Sequence, residues 1–97
     1  MIKQPLHRLR VPDEVADLVR GMHPALKRKT RASLKTIFAD PSSGKALKDE
    51  LAGLRSFRVG IFRVVYRVTR NVVEIVAIGP RKRIYEETYR LLKRKTR

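Results

Sequence analysis

The chain has 97 residues, which allows one hydrophobic core and a single domain over 1–97. It has no cysteine, which excludes disulfides, zinc fingers and thiol catalysis, and its longest aliphatic run, Ile75-Val76-Ala77-Ile78, is far short of the roughly 20 residues of a membrane span. Twenty-four Lys and Arg against nine Asp and Glu give a formal charge of +15, which favours nucleic acid as partner over an anionic membrane or an acidic protein.

The opening Met1-Ile2-Lys3-Gln4-Pro5 has no apolar stretch behind it, so no signal peptide is expected and a soluble cytoplasmic protein follows. Leu6 to Val11 reads as a first strand, with Leu9 and Val11 alternating. Pro12-Asp13-Glu14 opens a helix, because proline fits the first turn and the acids suit the positive end of the helix dipole. Val15, Leu18, Val19 and Met22 form its apolar stripe, and Gly21 with Pro24 stops it. A second helix starts at Pro24 and carries Leu26, Leu34, Ile37 and Phe38 at helical spacing, with Lys27, Arg28, Lys29, Arg31 and Lys35 mostly on the other side. That basic cluster reads first as a solvated helix face and second as a grip on RNA backbone. Asp40-Pro41-Ser42-Ser43-Gly44 ends the helical hairpin.

The period then changes from helical to alternating. Phe62, Val64, Tyr66 and Val68 alternate, as do Val73, Ile75 and Ala77; Gly60-Ile61 and Arg70-Asn71 suit two-residue turns. These turns predict the pairs Val59–Phe62, Phe57–Val64, Val68–Val73, Tyr66–Ile75 and Val64–Ala77, all on one face, the face that the helices cover. After Gly79-Pro80 a last helix is predicted from about Arg83, with Ile84, Thr88, Leu91 and Leu92 on one side and a basic tail at 93–97. The fold class is α+β: an N-terminal strand and helical hairpin, then a three-strand antiparallel meander and a C-terminal helix.

The same register fills the opposite face, expected to be open. Arg58 falls across from Arg63, Arg67 across from Glu74, Val65 across from Val76, and Arg63 across from Ile78 on the next strand. Opposed like charges disfavour a sheet by up to about 1 kcal/mol. Arg58 and Arg63 therefore read as a phosphate clamp, the alternative being that both splay into water. Arg81 follows just beyond the strand that neighbours Arg63 and is placed to reach the same spot. Tyr85 and Tyr89 share a stripe of the last helix, either as groove residues or, for Tyr85, stacked on a base or set at a phosphate. His7 and His23 lack metal-ligand spacing and read as surface or capping residues. The stretch 40–45 is not a phosphate loop, since Ala39 and Ala46 stand where that motif needs Gly and Ser or Thr.

The stretch from Leu51-Ala52-Gly53-Leu54 through Phe57-Arg58-Val59-Gly60 and Arg63-Val64-Val65-Tyr66, with Ile78-Gly79-Pro80-Arg81 and Tyr85, resembles the RelE/ParE toxin superfamily. The resemblance is specific from about Lys45 to Tyr89 and implies a RelE-like fold. It implies a toxin of a type II toxin–antitoxin system that cleaves mRNA in the ribosomal A site, turning the 2′-hydroxyl onto the adjacent phosphate. The implied partners are an acidic antitoxin encoded nearby, mRNA and the ribosome with its 16S rRNA, and no membrane. Position by position, Arg63 matches an arginine that stabilises the phosphate, Arg81 one that assists transition-state charge or the leaving group, and Tyr85 a tyrosine that orients the substrate or stacks on it. Arg58 falls where some members carry a lysine acting as base or stabiliser. Lys45, Lys48, Arg83 and Tyr89 are expected to bind substrate around them, and no cofactor or metal is expected.

Three arginines can stabilise the charge of an in-line attack, but an arginine gives up its proton too reluctantly to be a base. Lys45 or Lys48 could serve if desolvation or neighbouring cations lowered its pKa; the base is left open. The rival within the superfamily is a ParE-like DNA gyrase poison without nuclease activity, and the conjunction of Arg63, Arg81 and Tyr85 favours the nuclease. A plain RNA-binding domain is the third reading.

Overall fold

The computed structural model describes residues 8–95, so Leu6, His7 and the end of the basic tail lie outside the described residues. Strand β1 (Arg8–Arg10) is followed by helices α1 (Asp13–Arg20) and α2 (Pro24–Ala39), then by β2 (Lys45–Ala46), β3 (Leu54–Val59), β4 (Phe62–Thr69), β5 (Val72–Pro80) and helix α3 (Arg81–Lys95). Pro12 precedes α1, where its carbonyl accepts from the amide of Ala16 at 2.9 Å. His23 caps α2 through Nδ1, which accepts from the amide of Ala25 at 3.2 Å, and Pro24 takes the first helical position. No helix among the described residues is long and apolar enough to cross a membrane.

The sheet has five strands in the order β1-β5-β4-β3-β2. The predicted meander is its centre, with β1 added parallel to β5 and the two-residue β2 added antiparallel to β3. Strand β2 has no counterpart in the sequence reading, because two residues are too few to display a period. The β3–β4 register follows the predicted one, including Arg58 opposite Arg63. Gly60 sits in the turn at φ 61, a left-handed conformation that costs glycine little.

The β4–β5 register agrees with the prediction as far as Tyr66–Ile75 and then shifts by one residue at a bulge. The expected pairs Val64–Ala77, Val65–Val76 and Arg63–Ile78 are corrected to Val64–Ile78, Val65–Ala77 and Arg63–Gly79. The extra residue lets Val76 and Ala77 fall on one face while Ile78 returns to the other.

That shift serves two cores. On one face Val64, Tyr66, Val73, Ile75 and Ile78 pack with Val15, Val19 and Ile37 of the helical hairpin. On the other, Leu54, Val65 and Ala77 pack with Ile84 of α3, flanked by Leu51, Tyr85, Leu91 and Leu92. The expectation of an open second face is therefore corrected: α3 covers much of it, and the molecule has helix, sheet and helix layers. Helix α3 also begins two residues earlier than predicted, directly at Arg81. Gly79 allows this close start, since a Cβ there would lie 3.1 Å from Cδ1 of the fully buried Ile84.

Tyr66 ties the end of α2 to the sheet. Its ring is fully buried, its hydroxyl donates to the Pro41 carbonyl at 2.7 Å, and it accepts from the Gly44 amide at 2.8 Å. Only glycine fits at 44, where a Cβ would stand 2.5 Å from that hydroxyl oxygen. Arg55 reinforces the tie by donating to the Gly44 carbonyl at 2.7 Å. The outcome is that β2 is held against β3 with Lys45 opposite Ser56.

Candidate functional site

The second face carries the charge where α3 leaves it uncovered. Alternation along β3 puts Leu54, Ser56 and Arg58 on this face, and alternation along β4 puts Arg63, Val65 and Arg67 there. Arg67 meets Glu74 at 2.7 Å as an ion pair. Among the described residues Arg63 has no ion-pair partner: across β3 it faces Arg58, and across β5 it faces Gly79, which offers no side chain.

Around Arg63 lies a pocket of about 430 Å³ lined by Arg58, Arg63, Arg81, Lys82 and Arg83, with Ile61 and Phe62 as its apolar part. Arg81 is brought there by the backbone as well as by sequence position, for its amide donates to the Ile61 carbonyl at 3.2 Å, joining the start of α3 to the β3–β4 turn. Among the described residues, no carboxylate or imidazole lines the pocket. Five cations converge on a volume that holds no compensating charge of its own, so the arrangement suits an anion of phosphate size or larger.

Arg63 gives the pocket its sharpest feature. Its side chain is half-buried, Nη1 donates to the Ser56 hydroxyl at 3.4 Å, and its Nε is buried without a hydrogen-bond partner. A buried donor left unmade costs about 1–3 kcal/mol, more when charged. Such a group is stabilised when an acceptor arrives. Tyr85 joins this arginine through the same serine, donating its hydroxyl to Ser56 Oγ at 3.0 Å.

The sequence-derived candidates thus separate. Arg58, Arg63, Arg81 and Arg83 share the pocket. Tyr85 is linked to it through Ser56, and Lys45 lies opposite Ser56 in register, exposed at the sheet edge. Lys48 is exposed beyond β2, and Tyr89 is 38% exposed further along α3 with the Lys93 ammonium 5.4 Å from its ring centre; neither lines the pocket. Ser56, Lys82 and Ile61 are not among the site residues that the sequence points to. For Lys82 the signal was present, since it lies between two arginines already chosen. Ile61, 78% exposed at the hairpin tip, was assigned only a turn role.

Comparison with known proteins bears on the family and the fold. A family described as the ParE toxin of the type II toxin–antitoxin system parDE matches residues 6–85. No curated protein sequence gives a significant match. Among solved structures, a chain of the toxin–antitoxin complex RelBE2 from Mycobacterium tuberculosis is similar with a TM-score of 0.68 at 24% identity, covering 77% of this chain and 98% of that one. A chain of the archaeal RelE–RelB complex from Pyrococcus horikoshii OT3 is similar with a TM-score of 0.65 at 23% identity, covering 80% and 98%. The isolated RelE toxin of Escherichia coli is similar with a TM-score of 0.66 at 16% identity, covering 89% and 98%. With the family match spanning most of its length and the RelE-like fold described above, the chain belongs to the RelE/ParE superfamily of type II toxin–antitoxin toxins.

Proposed function

We propose that this toxin is a ribosome-dependent mRNA endonuclease that cuts in the ribosomal A site and so inhibits translation. The observation that carries the reading is Arg63: a half-buried guanidinium with a buried, unpartnered Nε at the head of a five-cation pocket. Attack of a 2′-hydroxyl on the adjacent phosphorus builds negative charge on the phosphoryl oxygens, and fixed cations stabilise it without reorganising. Arg63 holds the phosphate, Arg81 at the mouth offsets the charge that develops toward the leaving oxygen, Arg58 adds to the field, and Tyr85 orients or stacks on the nucleotide. Lys45 and Arg83 contact substrate at the rim; Lys48 and Tyr89, outside the pocket, would touch only more distant parts of the RNA.

With cations and no carboxylate or imidazole among the described residues that line the pocket, chemistry here depends on holding the RNA in line, which can contribute several kcal/mol. A ribosome that fixes the mRNA supplies that positioning. The expected products carry a 2′,3′-cyclic or 3′-phosphate end and a 5′-hydroxyl, read by end-labelling of mRNA recovered from ribosomes with an open A site. The second reading, a gyrase poison that cuts no RNA, is favoured by the ParE description of the matching family and by the lack of an obvious base. A gyrase supercoiling assay beside the mRNA assay separates the two.

The partner follows from the charge. Two of the similar structures are complexes of toxin and antitoxin, and a surface at +15 favours an acidic one. The expected antitoxin covers the arginine pocket or displaces α3, whose removal would expose Leu54, Val65 and Ala77. Association measured by stopped flow should slow by about tenfold or more from low to physiological salt, as electrostatic steering requires. A salt-independent rate, or no binding by the product of the adjacent reading frame, contradicts this.

A further inference from the structure

Ser56 stands between the two groups that the pocket depends on. It lies on β3 two residues before Arg58, is 2% exposed, and faces the same side of the sheet as Arg58 and Arg63. A serine hydroxyl has two acceptor sites and one hydrogen to donate. Here the acceptor sites receive Tyr85 from α3 at 3.0 Å and Arg63 from β4 at 3.4 Å. Among the described residues, Ser56 is the only hydrogen-bond partner of either side chain. At 3.4 Å the contact to Arg63 is longer than an ordinary N–H···O bond, so it steers the guanidinium while leaving it able to shift onto a ligand.

We propose that Ser56 is a positioning residue, fixing the separation and orientation of Arg63 and Tyr85 so that the phosphate-holding cation and the first turns of α3 act as one unit. Without its hydroxyl, the Tyr85 phenol and Arg63 Nη1 lose their shared acceptor in a place that bulk water scarcely reaches. Arg63 then samples more orientations, and an anion that binds it must order the side chain at its own expense. The kinetic part of this inference rests on the nuclease reading; the anion-binding part does not.

The test uses the full chain, labelled with ¹⁵N, and inorganic phosphate as the probe, followed at the Arg63 Nε–Hε resonance. Ser56→Ala removes the hydroxyl, Ser56→Cys keeps the volume but accepts weakly, and Ser56→Thr keeps the hydroxyl. The phosphate dissociation constant should rise about tenfold in Ser56→Ala and Ser56→Cys, the worth of one hydrogen bond to a charged group. Ser56→Thr should stay within about threefold of wild type. In mRNA cleavage the first two variants should lose kcat/KM by about tenfold, because a looser hold on the phosphate weakens transition-state stabilisation relative to free enzyme and substrate. If Ser56→Ala does not fold, Ser56→Cys decides. Phosphate affinity unchanged in the variant that lacks the hydroxyl, or lost equally in Ser56→Thr, overturns the proposal. A wild type that binds phosphate at Arg63 but cuts no mRNA refutes the nuclease reading instead, and the titration still decides the role of Ser56.

Discussion

Replacing Arg63 by alanine is expected to lower cleavage of ribosome-bound mRNA by about 10²- to 10³-fold, the usual cost of losing one preorganised donor to developing oxyanion charge. Arg81→Ala should fall in the same direction by about 10²-fold. Stability should barely move in Arg81→Ala, because that side chain is exposed and its structural tie is through the backbone amide, which alanine keeps. In Arg63→Ala the long contact to Ser56 is lost, but so is the buried, unpartnered Nε, and the two changes oppose each other. Single-turnover cleavage and thermal melting of the purified variants check both points. A variant that cleaves as wild type removes Arg63 from the chemistry; a variant that melts far below wild type makes it a structural residue.

The largest loss of stability is expected at Tyr66. Truncating this fully buried ring to alanine should cost about 3–5 kcal/mol, as loss of a buried aromatic does. That is a large share of the roughly 5–15 kcal/mol that holds a domain together. Tyr66→Phe isolates the hydroxyl: the Pro41 carbonyl and the buried Gly44 amide lose their partner, for about 1–3 kcal/mol. Urea unfolding of the two variants measures both figures. Beyond stability, Tyr66→Phe should loosen the 41–44 turn and with it Lys45 at the sheet edge, so amide exchange should quicken there before it does in β4. Equal urea midpoints for Tyr66→Phe and wild type would show that the turn is held by Arg55 alone.

The elements legible in the sequence were those with strong local signals. Pro12 and Pro24 announce α1 and α2, and the turns at Gly60-Ile61 and Arg70-Asn71 announce the hairpins, the first of them setting the β3–β4 register. The bulge was not legible, because Val76 and Ala77 are both apolar and either could face a core. The second core was legible in principle. Leu54, Val65 and Ala77 lie on the face that the sequence reading left open, and the stripe Ile84, Thr88, Leu91 and Leu92 needed a surface of its own. Requiring a single apolar face hid that match.

The site divides along the same line. Opposed arginines are visible as a conflict in a strand pairing, and so Arg58 and Arg63 could be found before any coordinates, with Arg81 close behind. Ser56 carries no charge and breaks no rule of strand composition, so its place beneath Arg63 and Tyr85 emerges only when α3 is laid over the sheet. Lys48 and Tyr89 resemble pocket residues in type and stand near them in sequence, yet neither lines the pocket.

Binding of an mRNA phosphate in the five-cation pocket for cleavage on the ribosome, as proposed, is best tested by one comparison. Purified toxin is incubated with the same mRNA free in solution and bound to ribosomes with an empty A site, and the 5′ and 3′ ends of the products are mapped. Free RNA should stay largely intact, while ribosome-bound mRNA should be cut within the A-site codon to leave a cyclic or 3′-phosphate end, with cutting lost in Arg63→Ala. Intact mRNA on the ribosome, together with inhibition of DNA gyrase by the same preparation, would contradict the account and establish the ParE-like alternative.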